Sequence, residues 1–275
     1  MPFSKEMILG SSGNQGAGAF YGYQIEKAAR FDDGDSSYLT RTISTAATNE
    51  DVGLLSFWFK RGNNINITTN ECVAGASATY HRIEFNTNAP SGYSDALVFT
   101  FNAGGSYGTT NQRFRDPSGW TNFILEYNSD DGTNDNRIKI YINGVQLAAL
   151  SDSSSWVMNG TNYEASGRDF GFTDNGSTIN FGRNPNNSGS YYDGYIAEIV
   201  CLDGSGSYTD VGELKNGVWI PKDPSGLTFG NNGYYLKFNN ASSLGADSSG
   251  NSNDFTANNM GTDHQVIDTP TFTAP

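Results

Sequence analysis

Glu198 is the carboxylate on which an enzymatic, acid–base reading of this chain turns. It is a lone carboxylate inside YYDGYIAEIVCLDG, residues 191–204, the longest nearly unbroken apolar run of the chain. Retaining glycoside hydrolysis needs two carboxylates about 5 to 5.5 Å apart, one as nucleophile and one as acid. On a strand, that pairing comes from residues at i and i+2 or i+4 on one face. Ile196 and Val200 flank Glu198 at those positions, so no second carboxylate shares its stretch. Glu198 therefore reads as a structural glutamate, hydrogen-bonded or paired with an arginine. GGSYG, Gly104 to Gly108, matches Gly-x-Ser-x-Gly in letters. That motif needs a strand before the serine and a helix after it, whereas Thr109, Thr110 and Asn111 continue into another extended stretch. It reads as a glycine-rich loop. The histidines, His81 and His264, fall in a strand and in the tail, which argues against a Ser-His-Asp arrangement or a histidine zinc site. No catalytic residue is assigned.

Binding chemistry has more candidates. Clustered hard oxygen ligands are what Ca²⁺ requires, and two loops carry them: Asp130, Asp131, Asn134 and Asp135, and then Asp247, Asn251, Asn253 and Asp254. Neither has the EF-hand spacing, and solvated Asp/Asn turns are the competing reading. Calcium is the one cofactor this sequence admits, and none is required. Tyr163, Arg168, Asp169, Tyr191, Tyr192 and Asp193 combine aromatic faces with groups that bond sugar hydroxyls, on loops or at a strand entrance. The same residue types pack subunit interfaces, which is the alternative use of this set.

These residues need a scaffold, and the pattern around them is β throughout. Tyr38 to Ile43, Leu54 to Arg61, His81 to Phe85, Ala96 to Phe101, Trp120 to Tyr127, Arg137 to Ile142, Ile179 to Gly182, Gly217 to Pro221 and Tyr234 to Phe238 read as strands. They are short, largely alternating, and bounded by turn residues. Leu55, Phe57 and Phe59 share one face, as do Ile138, Ile140 and Ile142, leaving a wet face opposite the second set. Asn143-Gly144 supplies the two positive φ angles of a type I′ turn, with Val145 to Leu150 pairing back, and Asn216-Gly217 repeats that chemistry. In the opening stretch, Tyr195, Ala197, Ile199 and Cys201 fall on one face, and Ile196, Glu198, Val200 and Leu202 on the other. Helix is expected only as a turn or two at Gln24 to Arg30 and near Tyr208 to Lys215.

The 275 residues fit one large β domain with appendages. Aromatic content of 13% argues against disorder, and a net charge of −13 without Lys/Arg clusters argues against nucleic acid. No apolar run approaches the roughly 18 residues of a membrane span, so no membrane insertion is expected. MPFSKEMILGSSG is too short in its apolar part for a signal peptide, which implies a cytoplasmic origin. Cys72 and Cys201 are then reduced thiols. Residues 1–30 read as a glycine-rich arm, 31–240 as the sandwich, and 241–275 as a polar extension with little regular structure.

FDDGDSSYL, LSFWFK, the hairpin ending in IYINGV, INFGR and YYDGYIAEIVCLDG occur in an order that resembles the concanavalin A-like, laminin-G-like domains. The resemblance implies a jelly-roll sandwich of two antiparallel sheets. Such domains sometimes bind calcium, and the fold also hosts hydrolases whose Glu-x-Asp-x-x-Glu pattern this sequence lacks. MPFSKEMILGSSGNQG, GVWIPKDPSG, NNGYYLKFNN and SSLGADSSGNSNDFTANN extend the resemblance to virion proteins of tailed, especially marine, bacteriophages. DSSGNSND resembles a segment that usually precedes the first strand but here follows the last, so the C-terminal part is expected to complete the sandwich. The resemblance implies a non-enzymatic virion protein displayed on a head, head fibre or tail fibre and assembled in the host cytoplasm. It would join other virion proteins through its N-terminal arm, as a homo-oligomer. The alternative is a carbohydrate-binding adhesin for host surface glycans.

Overall fold

The computed structural model describes residues 20–62, 67, 69–87, 95–101, 106–133, 136–147, 168–187 and 189–271. The strands in chain order are β1 (Ala28–Phe31), β2 (Tyr38–Thr42), β3 (Val52–Arg61), β4 (Glu71–Ala76), β5 (His81–Phe85), β6 (Leu97–Phe101), β7 (Ser106–Thr109), β8 (Thr121–Asn128) and β9 (Ile138–Ile142). There follow β10 (Val145–Gln146), β11 (Thr178–Phe181), β12 (Gly194–Asp203), a single helical turn α1 (Tyr208–Val211), β13 (Gly212–Lys215), β14 (Val218–Pro221), β15 (Tyr234–Leu236), β16 (Thr256–Asn258) and β17 (Gln265–Val266).

One sheet runs β10-β9-β8-β3-β12-β1-β17, with β15 also on β12; the second runs β16-β2-β11-β4-β5-β6-β7. Their pairings are antiparallel, and strands far apart in sequence lie side by side, as in β3 with β12. This is the expected jelly-roll sandwich of two antiparallel sheets. The inward faces meet through aromatics: Phe57 against Phe181, Phe59 against Phe85, and Phe99 against Phe123 with centroids 5.6 Å apart. Leu55, Phe57, Phe59, Ile138, Ile140 and Ile142 all point into that core, as their alternation requires. Both cysteines are buried and free.

A second apolar layer lies on the outer face of the first sheet. Leu54, Trp58, Ile124, Tyr141, Ala197 and Val200 are covered there by Val211, Trp219, Tyr23 and Val266. The β9 face expected to be wet is therefore partly covered: Tyr141 stacks on Tyr208 at 4.2 Å, and Tyr208 on Trp219 at 5.8 Å. Trp219 Nε1 donates to Asn122 Oδ1 at 2.8 Å, which ties the β13–β14 hairpin to the sheet.

The ends of the chain differ from the sequence expectation. Residues 28–31, assigned partly to the arm and to helix, form β1, whose Ala29 and Phe31 enter the core while Ala28 joins the outer layer. Burial on both sides suits an extended chain between two neighbours better than a helical turn. The 241–275 extension supplies β16 and β17, which pair with β2 and β1 and occupy one edge of each sheet. Covering an edge removes a row of unpaired backbone groups. The long unpatterned stretch 151–167, and residues 148–150 of the return strand, lie outside the described residues.

Candidate functional site

β12 is interrupted where Glu198 sits. Its register against β3 shifts between Ala197 and Val200, a β-bulge, and Glu198 has φ of 48°. Left-handed backbone at a residue with a Cβ costs about 1 to 2 kcal/mol and is a recurring mark of functional or strained positions. The bulge also swaps the faces. Ile196 and Ile199 both enter the core, while Ala197 and Val200 both belong to the outer layer. The strict alternation expected for this stretch therefore fails at Glu198, and its side chain turns outward with the outer-layer aromatics.

There Glu198 Oε1 accepts from the Tyr235 hydroxyl at 2.9 Å, and the Tyr235 and Tyr23 hydroxyls lie 2.7 Å apart. Glu198 is 5% exposed, and its Oε2 is buried without a hydrogen-bond partner. Burial pushes its carboxyl up to about 7, with the Tyr23 and Tyr235 phenols and the Lys237 charge working the other way and Asp223 reinforcing the rise. Glu26 lies at the rim of the same cleft and makes no bond to Glu198.

The residues proposed as a glycan or partner surface do not form one surface. Tyr191 stacks on Tyr38, with centroids 6.2 Å apart, and the Arg183 guanidinium lies 4.8 Å over the Tyr38 ring. Tyr192, next in sequence, points the opposite way: it is wholly buried and donates its hydroxyl to the Lys60 carbonyl at 2.9 Å. It is a core residue and cannot meet a glycan. Asp193 accepts the Gly62 amide through its carbonyl. These three precede β12, whereas Arg168 and Asp169 lie by its far end. The Arg168 amide donates to Ser129 Oγ, and its carbonyl accepts from Tyr127. Asp169 faces Asp51, and burial with that neighbouring charge raises its carboxyl. Asp174 nearby is pushed up to about 6 by burial and by Asp169 and Glu50. Tyr163 lies outside the described residues.

Of the first oxygen-rich loop, Asn134 and Asp135 lie outside the described residues. Asp130 is exposed, and Asp131 Oδ1 accepts from the Thr133 amide at 2.8 Å. The second loop is brought together. Asp247 Oδ1 accepts the amides of Tyr235 and Ser249, and Oδ2 accepts the Ser249 hydroxyl and the Asn253 amide. Asp254 accepts the Asp247 amide, while Asn251 and Asn253 donate to the carbonyls of Gly230, Asn231 and Gly233. These are the contacts of a turn that clamps β15. Among the described residues, no three His, Cys, Asp or Glu side chains group as a metal centre would need.

A junction that the sequence did not signal joins the two end segments. Thr271 Oγ1 accepts the Ile25 amide, and the Tyr21 hydroxyl reaches the Pro270 carbonyl at 3.5 Å. Lys60 is paired with Asp268, which also accepts from Trp120 Nε1 at 3.1 Å. A threonine in a polar tail gives no pattern by which to find such a contact.

No protein-family model matches the chain, and no curated protein is detectably similar to it in sequence. Among solved structures, a native heptameric SAP-like pentraxin from Limulus polyphemus is similar at 11% identity and TM-score 0.45, over 67% of this chain and 80% of that one. The mouse laminin α1 chain domains LG4-5 are similar at 10% identity and TM-score 0.40, over 68% of this chain and 46% of that one. The binding domain of botulinum neurotoxin DC, in complex with rat synaptotagmin II, is similar at 16% identity and TM-score 0.31, over 64% of this chain and 43% of that one. The chain thus spans less than half of the laminin and toxin chains. The likeness is one of fold.

Proposed function

We propose that this chain is a non-catalytic virion protein of a tailed bacteriophage, a sandwich held to the particle at one place and displayed from it. The observation that carries the reading is the junction of Ile25 with Thr271, where one buried hydroxyl holds both end segments. Tyr21 and Ile25 thus lie beside Pro270 and Thr271, in one neighbourhood of the sandwich. The motifs at both ends, which resemble those of phage virion proteins, support it further. Glu198, a buried carboxylate, accepts from the Tyr235 phenol rather than pairing with a second carboxylate.

The test is a deletion of residues 1–19, which spares every contact just described. The shortened protein should melt like the full chain and fail to join the phage particle. Normal incorporation would overturn the proposal.

A second reading, an adhesin for host surface glycans, is favoured by the half-buried Tyr38, Arg183 and Tyr191 patch, since aromatic and guanidinium faces stack on sugars and on each other. A glycan array with and without calcium tests it: a protein with structural duty alone binds nothing in either condition.

A further inference from the structure

Glu198 lies where no strand can cover it. On the side of β12 away from β3, β1 is in register up to Ala29 opposite Ile196, and β15 up to Leu236 opposite Ile199. Continued in those registers, Lys27 and Lys237 would both fall opposite Glu198. One position cannot hold two chains, so both leave the sheet there. The cover comes instead from residues 20–27, a strap that belongs to no strand and lays Tyr23 and Ile25 against the outer apolar layer. Side-chain bonds tie it down: Lys215 Nζ to the Phe20 carbonyl, the Tyr21 hydroxyl to the Pro270 carbonyl, Tyr23 to the Tyr235 hydroxyl, and Thr271 Oγ1 to both backbone groups of Ile25. A segment held in this way opens at less cost than the paired strands beneath it.

Glu198 cannot relieve its own burial by moving. β12 is paired with β3 on both sides of the bulge, which holds the side chain under the strap. Neutral, the carboxyl forgoes one hydrogen bond at Oε2. Ionised, it puts a charge in the same closed site with phenols for donors, which costs far more than a neutral group there. The titratable and charged groups facing it are Tyr23 and Glu26 from the strap, Tyr235 from β15, Lys237 just beyond it, and Asp223 from the loop after β14. Lys237 is the cation among them, half-buried and 5.3 Å over the Tyr235 ring, and the negative charge of Asp223 opposes it. Lifting the strap lets water reach Oε2 and returns the carboxyl to an ordinary setting.

We propose that residues 20–27 form a proton-operated strap, closed over a neutral Glu198 and released from the sheet when that carboxyl ionises. The closed strap holds a proton that the open one gives up to solvent. Opening is therefore favoured about tenfold more for each pH unit between 4.5 and about 7, where burial places the closed carboxyl, and no further above that. The strap stands apart from the virion reading, which the deletion of residues 1–19 tests.

The test is hydrogen exchange of the full chain between pH 4.5 and 8, read at the Ile25 amide, which Thr271 protects in the closed strap, and at the amides of β3. Two variants remove the titrating group. Glu198→Gln keeps an acceptor for Tyr235, and Glu198→Gly deletes the carboxyl at a left-handed position that glycine prefers, so its backbone is relieved rather than strained. Comparison with either variant at the same pH cancels the intrinsic pH dependence of exchange. The expected result is an Ile25 amide that exchanges faster than β3 at every pH. Relative to both variants, its exchange should quicken about tenfold per pH unit up to about 7 and then level. A ratio to the variants that does not change with pH overturns the proposal. So does an Ile25 amide that exchanges only as fast as β3, because the strap would then open only when the whole domain unfolds.

Discussion

Thr271 Oγ1 accepts the Ile25 amide at 2.9 Å and donates to the Ile25 carbonyl at 3.1 Å, so a single hydroxyl satisfies both backbone groups of a residue 246 positions away. Thr271→Val keeps the shape and removes both bonds, leaving a buried N–H and C=O unpaired. The expected loss is about 2 kcal/mol, or a fall in Tm of roughly 4 to 8 °C for a domain of this size. Thermal melting checks the first figure. Limited proteolysis should show new cleavage before β1, and unchanged cleavage would mean that other contacts hold the segment.

Asp203, at the end of β12, is the polar hub of the opposite end of the strand. Its buried carboxylate accepts the Thr48 amide with both oxygens, the Asn49 amide, and the Asn232 amide at 2.9 Å. Asp203→Ala strands those three donors and should cost about 3 to 5 kcal/mol, whereas Asp203→Asn, which keeps one acceptor oxygen, should cost about 1 to 2 kcal/mol. Denaturant unfolding of the pair decides it. Equal losses would mean that the charge, and not the acceptor count, matters.

How far the sequence could be read follows from the same residues. β3 and β5 are legible because Leu55, Phe57, Phe59, Ile83 and Phe85 recur with period two. β4 is ECVAGA, buried along its whole length and irregular in register between Cys72 and Ala74, so it offers no alternation to find. β7, β16 and β17 are short and polar or glycine-bearing, and they form because an open edge exists to receive them. The bulge at Glu198 leaves no trace in residue type, so the face assignments beyond it were inverted. Glu198 itself was conspicuous as a carboxylate among apolar residues. Its partners were not, since Tyr235 lies 37 positions away and Tyr23 another 212 from Tyr235.

The two Asn-Gly turns form a matched pair for separating backbone strain from packing. Asn143-Gly144 and Asn216-Gly217 each place both residues at positive φ between directly paired strand residues, the type I′ geometry read from sequence. A Cβ on Gly217 would meet nothing within 4 Å, while a Cβ on Gly144 would come within 2.1 Å of the Trp219 ring. Gly217→Ala should cost about 1 kcal/mol, from left-handed strain alone. Gly144→Ala should cost about 3 kcal/mol, adding displacement of the indole, and should shift the tryptophan emission to the red. Equal costs would show that Trp219 moves aside freely.

Glu198 ties stability to pH with a definite sign. Its carboxyl rises from an ordinary 4.5 to about 7 on folding, so between those values the folded chain holds a proton that the unfolded chain has released. Stability from this group is complete below 4.5 and falls as pH rises, by about 1.4 kcal/mol per pH unit and about 3 kcal/mol across the window. Asp174, raised to about 6, acts in the same direction, so the wild-type curve alone cannot isolate Glu198. Glu198→Gln can: the amide keeps an acceptor for Tyr235 and does not titrate. The difference in unfolding free energy between wild type and Glu198→Gln should drift toward the variant by about 3 kcal/mol between pH 4.5 and 7, then level off above 7. Urea unfolding at a series of pH values measures that difference directly. A constant difference would mean that Glu198 is solvated in the folded chain and titrates there as it does in the unfolded one.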